Sequence, residues 1–135
     1  MKKPIKKIKG LIAIGYWKSE GEPHLPHPKE FQDDSWDKEE KDMVINHIKN
    51  GKTAIRYRGS SFCRFNCGEL NMGTTCLTDG IYIFPEKLSH YLELHDVRLP
   101  ERFIDHIKRC KLMEGDFDIQ AEEVDYSWWE KAKLN

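Results

Sequence analysis

The chain has 135 residues, of which 39% are hydrophobic and 33% charged, the balance of one soluble globular domain with a real core. The formal net charge is −1, so no global field draws the protein to nucleic acid or to a membrane surface. No apolar run has the length of a bilayer-spanning helix, which excludes the transmembrane class.

Residues 1–9 are predicted to be a basic N-terminal tail, and residues 10–135 a single globular domain. The basic residues of the tail are Lys2, Lys3, Lys6, Lys7 and Lys9. The apolar run at 11–14 is too short for a secretory signal and lacks a small-residue cleavage site. The sequence therefore predicts a cytoplasmic protein whose four cysteines are reduced.

A first strand is predicted over residues 10–17, and a long connection over 18–35 follows it. Within the connection, Pro23–Pro28 contains three prolines and is predicted to be extended, because a residue before proline avoids the α region. We interpret this segment as a strap laid over the domain surface with Leu25 tucked in. A polyproline ligand for a partner groove is the alternative.

Helical spacing of apolar residues predicts a helix over 36–50, capped by Asp34 or Ser35 and followed by Gly51. Its apolar face includes His47, which we interpret as a packed side chain. Strands are predicted over 53–58 and 70–78. A later helix over 101–112 places Phe103, Ile104, Ile107 and Cys110 inward. Residues 116–129 are predicted to be extended, with Trp128 and Trp129 holding the C-terminus on the domain.

The most informative stretch is residues 78–95, which precede the helix predicted over 101–112. Asp79-Gly80 separates two strand-forming runs and predicts a hairpin with a type I′ turn, which needs positive φ at both central residues. Pro85 is predicted to begin a helix. The apolar stripe of this helix comprises Leu88, Tyr91, Leu92 and His95.

This stretch resembles the signature of a family of small bacterial proteins without an assigned function. The matching residues are Thr78-Asp79-Gly80-x-Tyr82-x-Phe84-Pro85-Glu86-x-Leu88-x-His90-Tyr91, followed by His95-x-Val97-Arg98-Leu99-Pro100. The usual family form is TDGxYxWPEGLxHYV, then HxVRLP, so Phe84 replaces a Trp and Lys87 a Gly. The resemblance covers roughly residues 15–103, including Cys63-Arg64, and implies a shared fold but no activity.

The order of the elements predicts an α+β fold. Hairpin-linked strands precede helices that cluster late in the chain, which favours a small antiparallel sheet covered on one face by about three helices.

A metal site is the sharpest functional hypothesis. Cys63-x3-Cys67 is a short thiolate pair, and His90-x4-His95 is a histidine pair on the helix after the hairpin. Two thiolates and two imidazoles suit tetrahedral zinc, and Gly68 would allow a tight turn around the ion. Against this, residues five apart on a regular helix point about 140° away from each other. The histidines meet only if the helix loosens before His95.

The four cysteines also have simpler interpretations as packed side chains: Cys63, Cys67, Cys76 and Cys110. The first two can be small buried hydrophobes near a turn, and Cys76 and Cys110 are predicted to lie in the core. Asp79 is assigned a turn role, with a general base near His90 as the alternative.

Two other functional classes are weaker. Catalysis would use Cys63 or Cys67 as nucleophile and His90 as base, but no protease or phosphatase signature surrounds them. Nucleic-acid binding would use the N-terminal lysines with Arg56, Arg58 and Arg64, but no known motif is present, and a mobile solvated tail is favoured.

The sequence thus predicts a small cytoplasmic binding or regulatory module whose partner is another protein, with a Cys2His2 zinc site at Cys63, Cys67, His90 and His95. A small Cys/His or metal-dependent enzyme using the same residues is the alternative.

Overall fold

The structure is a computed structural model that describes residues 4–56, 63–68, 75–110 and 118–133. The strands are Ile5–Ile8 (β1), Leu11–Ala13 (β2), Lys52–Arg56 (β3), Thr75–Thr78 (β4), Tyr82–Pro85 (β5), Asp118–Ala121 (β6) and Val124–Asp125 (β7). The α-helices are Lys38–Lys49 (α1), Leu88–His95 (α2), Glu101–Arg109 (α3) and Ser127–Glu130 (α4), and Pro28–Phe31 is a 3₁₀ helix. The predicted α+β class is confirmed.

The main sheet has the strand order β3-β4-β5-β2-β7. Strand β4 pairs in antiparallel fashion with β3 on one side and with β5 on the other, as predicted. The prediction of an antiparallel sheet fails for β2, which pairs in parallel with both β5 and β7. No hairpin joins these strands, and the long connections between them supply the crossovers that parallel pairing requires.

Part of the predicted basic tail belongs to the fold. Ile5–Ile8 pairs in parallel with Asp118–Ala121 as a separate two-stranded sheet. Lys7 and Lys9 lie 3.8 and 3.7 Å from the Glu122 carboxylate. A mobile tail is therefore a wrong description of residues 5–8.

Helix α1 begins two residues later than predicted. Asp37 is its cap, because the Asp37 carboxylate accepts a hydrogen bond from the Glu40 N–H at 3.0 Å. Ser35 instead donates its own N–H and hydroxyl to Asp33. His47 is buried in the last turn of the helix, as predicted.

The hairpin at Asp79-Gly80 is present, but its predicted type I′ turn is wrong. Gly80 has a φ of 102°, whereas Asp79 has no positive φ. The Asp79 side chain sets the turn instead, accepting hydrogen bonds from the Ile81 and Tyr82 N–H groups at 2.9 and 2.8 Å.

Pro85 does not begin α2, contrary to the prediction. It ends β5, opposite Cys76, and the Glu86 N–H continues the ladder by donating to the Thr75 carbonyl. The helix starts only at Leu88, after a turn.

One hydrophobic core lies between the sheet and the helices. Trp129 is fully buried and donates its indole N–H to the Tyr16 carbonyl, so the C-terminus is held on the domain as predicted. Gly15, with a φ of 80°, lies against α2: an added Cβ would sit 2.7 Å from the Leu88 Cδ1. This close approach fixes the start of the helix that carries His90 and His95.

Two predicted features lie outside the described residues: the end of the 53–58 strand and the start of the 70–78 strand. The helix predicted over 101–112 ends earlier than predicted, at Arg109, because Cys110 has an extended backbone conformation. Cys110, expected in the core, is half-buried at the end of α3. Among the described residues, no helix combines the length and apolar character needed to cross a membrane.

Candidate metal centre

The two cysteines lie on a tightly curled loop over residues 63–68. The Asn66 N–H donates to the Cys63 carbonyl at 3.0 Å, which closes a turn. Asn66 and Gly68 have φ values of 53° and 100°, in the left-handed region that Asn tolerates and Gly favours. The curl brings Cys67 back beside Cys63, as expected for Gly68 in a turn around a metal.

Helix α2 widens at its end, which removes the geometric objection to the histidine pair. The Tyr91 carbonyl accepts hydrogen bonds from the N–H groups of Asp96 and Val97, five and six residues further on. A turn of this width brings positions five apart onto one face, as in a π-bulge. The ring centroids of His90 and His95 are consequently 5.1 Å apart.

The four predicted ligand residues come together. The Cys63 Sγ lies 3.3 Å from the His95 Nε2, and the Cys67 Sγ lies 3.5 Å from the His90 Nε2. All four ligand atoms lie within 4.8 Å of one another. Bond lengths of about 2.3 Å to sulfur and 2.0–2.1 Å to nitrogen put neighbouring S and N ligands of a tetrahedral ion about 3.5 Å apart. The cluster therefore has the size of a metal site.

The surroundings of His95 and Cys63 favour a neutral imidazole and a protonated thiol in the free protein. Burial, followed by the charge on His90, lowers the pKa of His95, so its nitrogen lone pair is available near neutral pH. Burial, with a further contribution from Cys67, raises the pKa of the Cys63 thiol. Cys63 is thus a poor nucleophile without an ion, and metal binding there must release a proton.

Neighbouring side chains tie the loop to the helix. The Phe65 ring stacks on His95 with centroids 4.5 Å apart and an interplanar angle of 21°. The Arg64 N–H donates to the Tyr91 hydroxyl at 3.0 Å, and the Gln32 side-chain amide donates to the His95 carbonyl at 3.0 Å. The loop and both histidines therefore have defined positions relative to each other.

The strap, residues Pro23–Pro28, also reaches this centre. Leu25 is only 6% exposed, so it is tucked in as predicted. The His27 ring packs edge-on against Phe65 with centroids 5.9 Å apart. The strap is not fully extended, contrary to the prediction, because the Leu25 N–H donates to the Glu22 carbonyl and closes a turn in its first half. The Lys18 N–H donates to the Pro26 carbonyl and holds the second half.

A second cluster of possible metal ligands was not predicted from the sequence. The Nε2 atoms of His47 and His106 both lie 2.7 Å from the Asp79 Oδ2, and the Cys110 Sγ completes a group whose ligand atoms all lie within 4.8 Å of one another. His47 and His106, not His90, are thus the imidazoles beside Asp79. Burial alone would raise the pKa of Asp79. Hydrogen bonds from His47, from two backbone N–H groups and from His106 outweigh it and lower that pKa.

Local spacing in the sequence could have indicated only two of the four residues of this second cluster. His106 and Cys110 are four residues apart, a spacing that puts two side chains on one face of a helix. His47 and Asp79 are 32 residues apart and lie on different elements, so no local spacing links them.

Comparisons with protein-family models, with curated proteins and with solved structures find no match to this chain. The resemblance to the small bacterial family therefore stays a prediction.

Proposed function

We propose that Cys63, Cys67, His90 and His95 bind one zinc ion as a structural centre, and that the protein is a small, non-catalytic module that binds another protein. The observation that carries the proposal is the convergence of these four ligand atoms to within 4.8 Å of one another. The compartment we propose is the cytoplasm, where all four cysteines would be reduced.

The ligand set supports zinc as the proposed ion. Calcium and magnesium take oxygen ligands, which this group does not offer. Thiolate and imidazole together suit zinc, and a Cys2His2 set is a recurrent structural zinc site. The S–N separations of 3.3 and 3.5 Å match the edges expected of a tetrahedral zinc site.

A structural role follows from the ligand count. Four protein ligands fill a tetrahedral ion, whereas catalytic zinc sites keep one position for water or substrate. Cys63 is fully buried, so an ion held by it would be enclosed on that side. Zinc would fasten an irregular loop to the end of α2, in addition to the Arg64–Tyr91 hydrogen bond and the packing of the Phe65 ring.

The proposed partner surface comprises the cysteine loop and the strap. Asn66, Cys67 and Gly68 are exposed on the loop, and the strap lies beside them through the His27–Phe65 contact. A loop fixed in shape by an ion presents the same contacts to a partner at a low ordering cost. Protein is the proposed partner class, because the net charge of −1 gives no general attraction for nucleic acid.

One observation favours a second candidate, a small Cys/His or metal-dependent enzyme. Cys67 is exposed, and its sulfur lies 3.5 Å from the His90 Nε2, which is also the arrangement of a cysteine nucleophile and its base. In that case the Cys67 thiol would be activated rather than coordinated.

Elemental analysis of protein purified without a metal-affinity tag tests the proposal. We expect the wild-type protein to contain zinc at this centre and the His90→Gln variant to lose it. His24→Gln should keep this zinc, because His24 is an exposed histidine outside both clusters and makes a matched control. We also expect chelation to loosen the fold and to accelerate alkylation of Cys67. Equal zinc contents in both variants would contradict the proposal. Fast alkylation of Cys67 before chelation would favour the enzyme.

A further inference from the structure

We infer that His47, Asp79, His106 and Cys110 form a second metal site, which takes a divalent transition ion such as zinc and is independent of the Cys2His2 centre. The four residues come from α1, the β4–β5 hairpin and α3, and none of them belongs to the first site. Their ligand atoms all lie within 4.8 Å of one another.

Asp79 is positioned as a metal-binding carboxylate would be. Its side chain is fully buried, and the Ile81 and Tyr82 N–H groups hold its Oδ1. The other oxygen, Oδ2, is thereby aimed at the two imidazoles. Outer hydrogen bonds that orient a ligating carboxylate in this way are a regular part of metal sites.

The two imidazoles converge on one carboxylate oxygen. Both His47 and His106 approach the Asp79 Oδ2 with Nε2 at 2.7 Å, so both must carry their proton on Nε2 to donate. With the protons on Nδ1 instead, both Nε2 lone pairs are turned toward the carboxylate oxygen, so three ligand atoms of one cation are already gathered together. That is the arrangement of two neutral imidazoles and one carboxylate around a cation.

The movement needed to admit an ion is small. Bond lengths of about 2.0–2.1 Å place the nitrogen and oxygen ligands of a tetrahedral ion about 3.3 Å apart. The present separations of 2.7 Å must therefore widen by roughly half an ångström, which small side-chain rotations supply.

Cys110 provides a fourth ligand that is accessible to solvent. It follows His106 by four residues, at the end of α3, and is half-buried. A cleft of about 470 Å³ opens beside it, and its wall also includes Lys6, Lys7 and Lys9. Cys110 is therefore a ligand that solvent reaches, whereas His47 is almost fully enclosed by the fold. Cys110 is the ligand whose chemistry reports most directly on occupancy.

Alkylation of the wild-type protein tests the inference without any variant. Zinc-free protein is treated with iodoacetamide with and without added Zn²⁺, and each cysteine is followed by mass spectrometry. We expect Zn²⁺ to slow alkylation of Cys110 at least tenfold. Cys76, a buried cysteine outside both clusters, reacts only when the fold opens, so its slowing measures the general stabilisation by Zn²⁺, and the slowing at Cys110 should be larger. An unchanged rate at Cys110 would overturn the second site, whatever happens at Cys63 and Cys67.

Metal counting gives an independent measurement. Wild-type protein and His24→Gln should bind two equivalents of zinc, whereas His106→Gln should bind one. A count in His106→Gln equal to that of the wild type would contradict the inference. If the Cys2His2 proposal fails instead, Cys63 and Cys67 stay unprotected by zinc while Cys110 is protected, so the two failures are distinguishable.

Discussion

The two clusters of Cys and His side chains differ in what holds them in place. The Cys2His2 centre is built from an irregular loop and the widened end of α2, and its short contacts are sulfur–nitrogen pairs at 3.3 and 3.5 Å. The second cluster is built from two helices and a hairpin, and its centre is a buried carboxylate that accepts four N–H groups at 2.7–2.9 Å. A thiol is a weak hydrogen-bond partner, whereas an ionised carboxylate is a strong one.

This difference predicts opposite responses to metal removal. Without an ion, the Cys2His2 centre keeps the Phe65–His95 stack and the Arg64–Tyr91 hydrogen bond but only weak thiol–imidazole contacts, so we expect the loop over residues 63–68 to loosen from α2. The Asp79 cluster keeps its hydrogen bonds in the absence of an ion, so the elements around it should stay in place. We therefore expect stability to depend on an ion at the Cys2His2 centre and to be independent of one at the Asp79 cluster.

The largest expected effect is the loss of zinc from the Cys2His2 centre. At a free zinc concentration about 1,000 times the dissociation constant, binding stabilises the folded state by about 4 kcal/mol. Cys63→Ala should lower the free energy of unfolding in the presence of zinc by at least this amount, because it also empties a buried position. Urea unfolding with and without zinc measures it. A wild-type free energy of unfolding that is insensitive to zinc removal would contradict the distinction between the two clusters.

The next effect concerns the hydrogen-bonded cluster. Asp79→Ala leaves His47, His106 and two backbone N–H groups without their acceptor in a buried position, and we expect a loss of about 3 kcal/mol in the free energy of unfolding. Asp79→Asn keeps an oxygen for the backbone N–H groups and should lose clearly less. Urea unfolding of the two variants in zinc-free buffer gives the comparison. Equal and small losses would show that the carboxylate does not hold this region.

Local patterns predicted much of the fold and of the first site. Apolar spacing placed α1, α2 and α3, and a turn-forming pair between strand-like runs placed the hairpin. Short Cys and His spacings identified all four residues of the Cys2His2 centre, since each pair lies within one local segment. These features depend on residues that are close to each other in sequence, so the sequence alone is enough to predict them.

Features decided by distant contacts could not be predicted in this way. The Asp79 side chain sets the hairpin turn and accepts His47 and His106, each 27 or more residues away. The parallel pairings of β2 and the docking of β1 on β6 join segments far apart in the chain. The widened end of α2, on which the His90–His95 pair depends, involves Asp96 in a left-handed conformation that helical periodicity does not reveal.

Acid should weaken the Asp79 cluster through this one carboxylate. Its pKa lies below the ordinary value of 3.8, so the folded state binds the proton less readily than the unfolded chain. The stabilisation is complete above that ordinary value and is lost as the pH falls through the lower folded pKa. His47, His106 and Cys110 face the carboxylate, and each is unchanged in Asp79→Asn. Zinc-free wild-type protein should therefore lose more stability than Asp79→Asn between pH 5 and pH 2, measured by urea unfolding. Parallel pH profiles would contradict the assignment.

The smallest expected effect lies at the ring that supports the Cys2His2 centre. Phe65 stacks on His95 at 4.5 Å, and an imidazole bound to a cation carries partial positive charge that favours an aromatic face. An aromatic pair contributes about 0.5–1.5 kcal/mol beyond its buried area, so Phe65→Leu should weaken zinc binding about two- to tenfold. Competition with a chromophoric chelator measures the affinity, and Phe65→Tyr, which keeps the ring, should bind as the wild type does. Equal affinities for the Leu and Tyr variants would mean that Phe65 only fills space, and that the loop and α2 alone set the geometry of the centre.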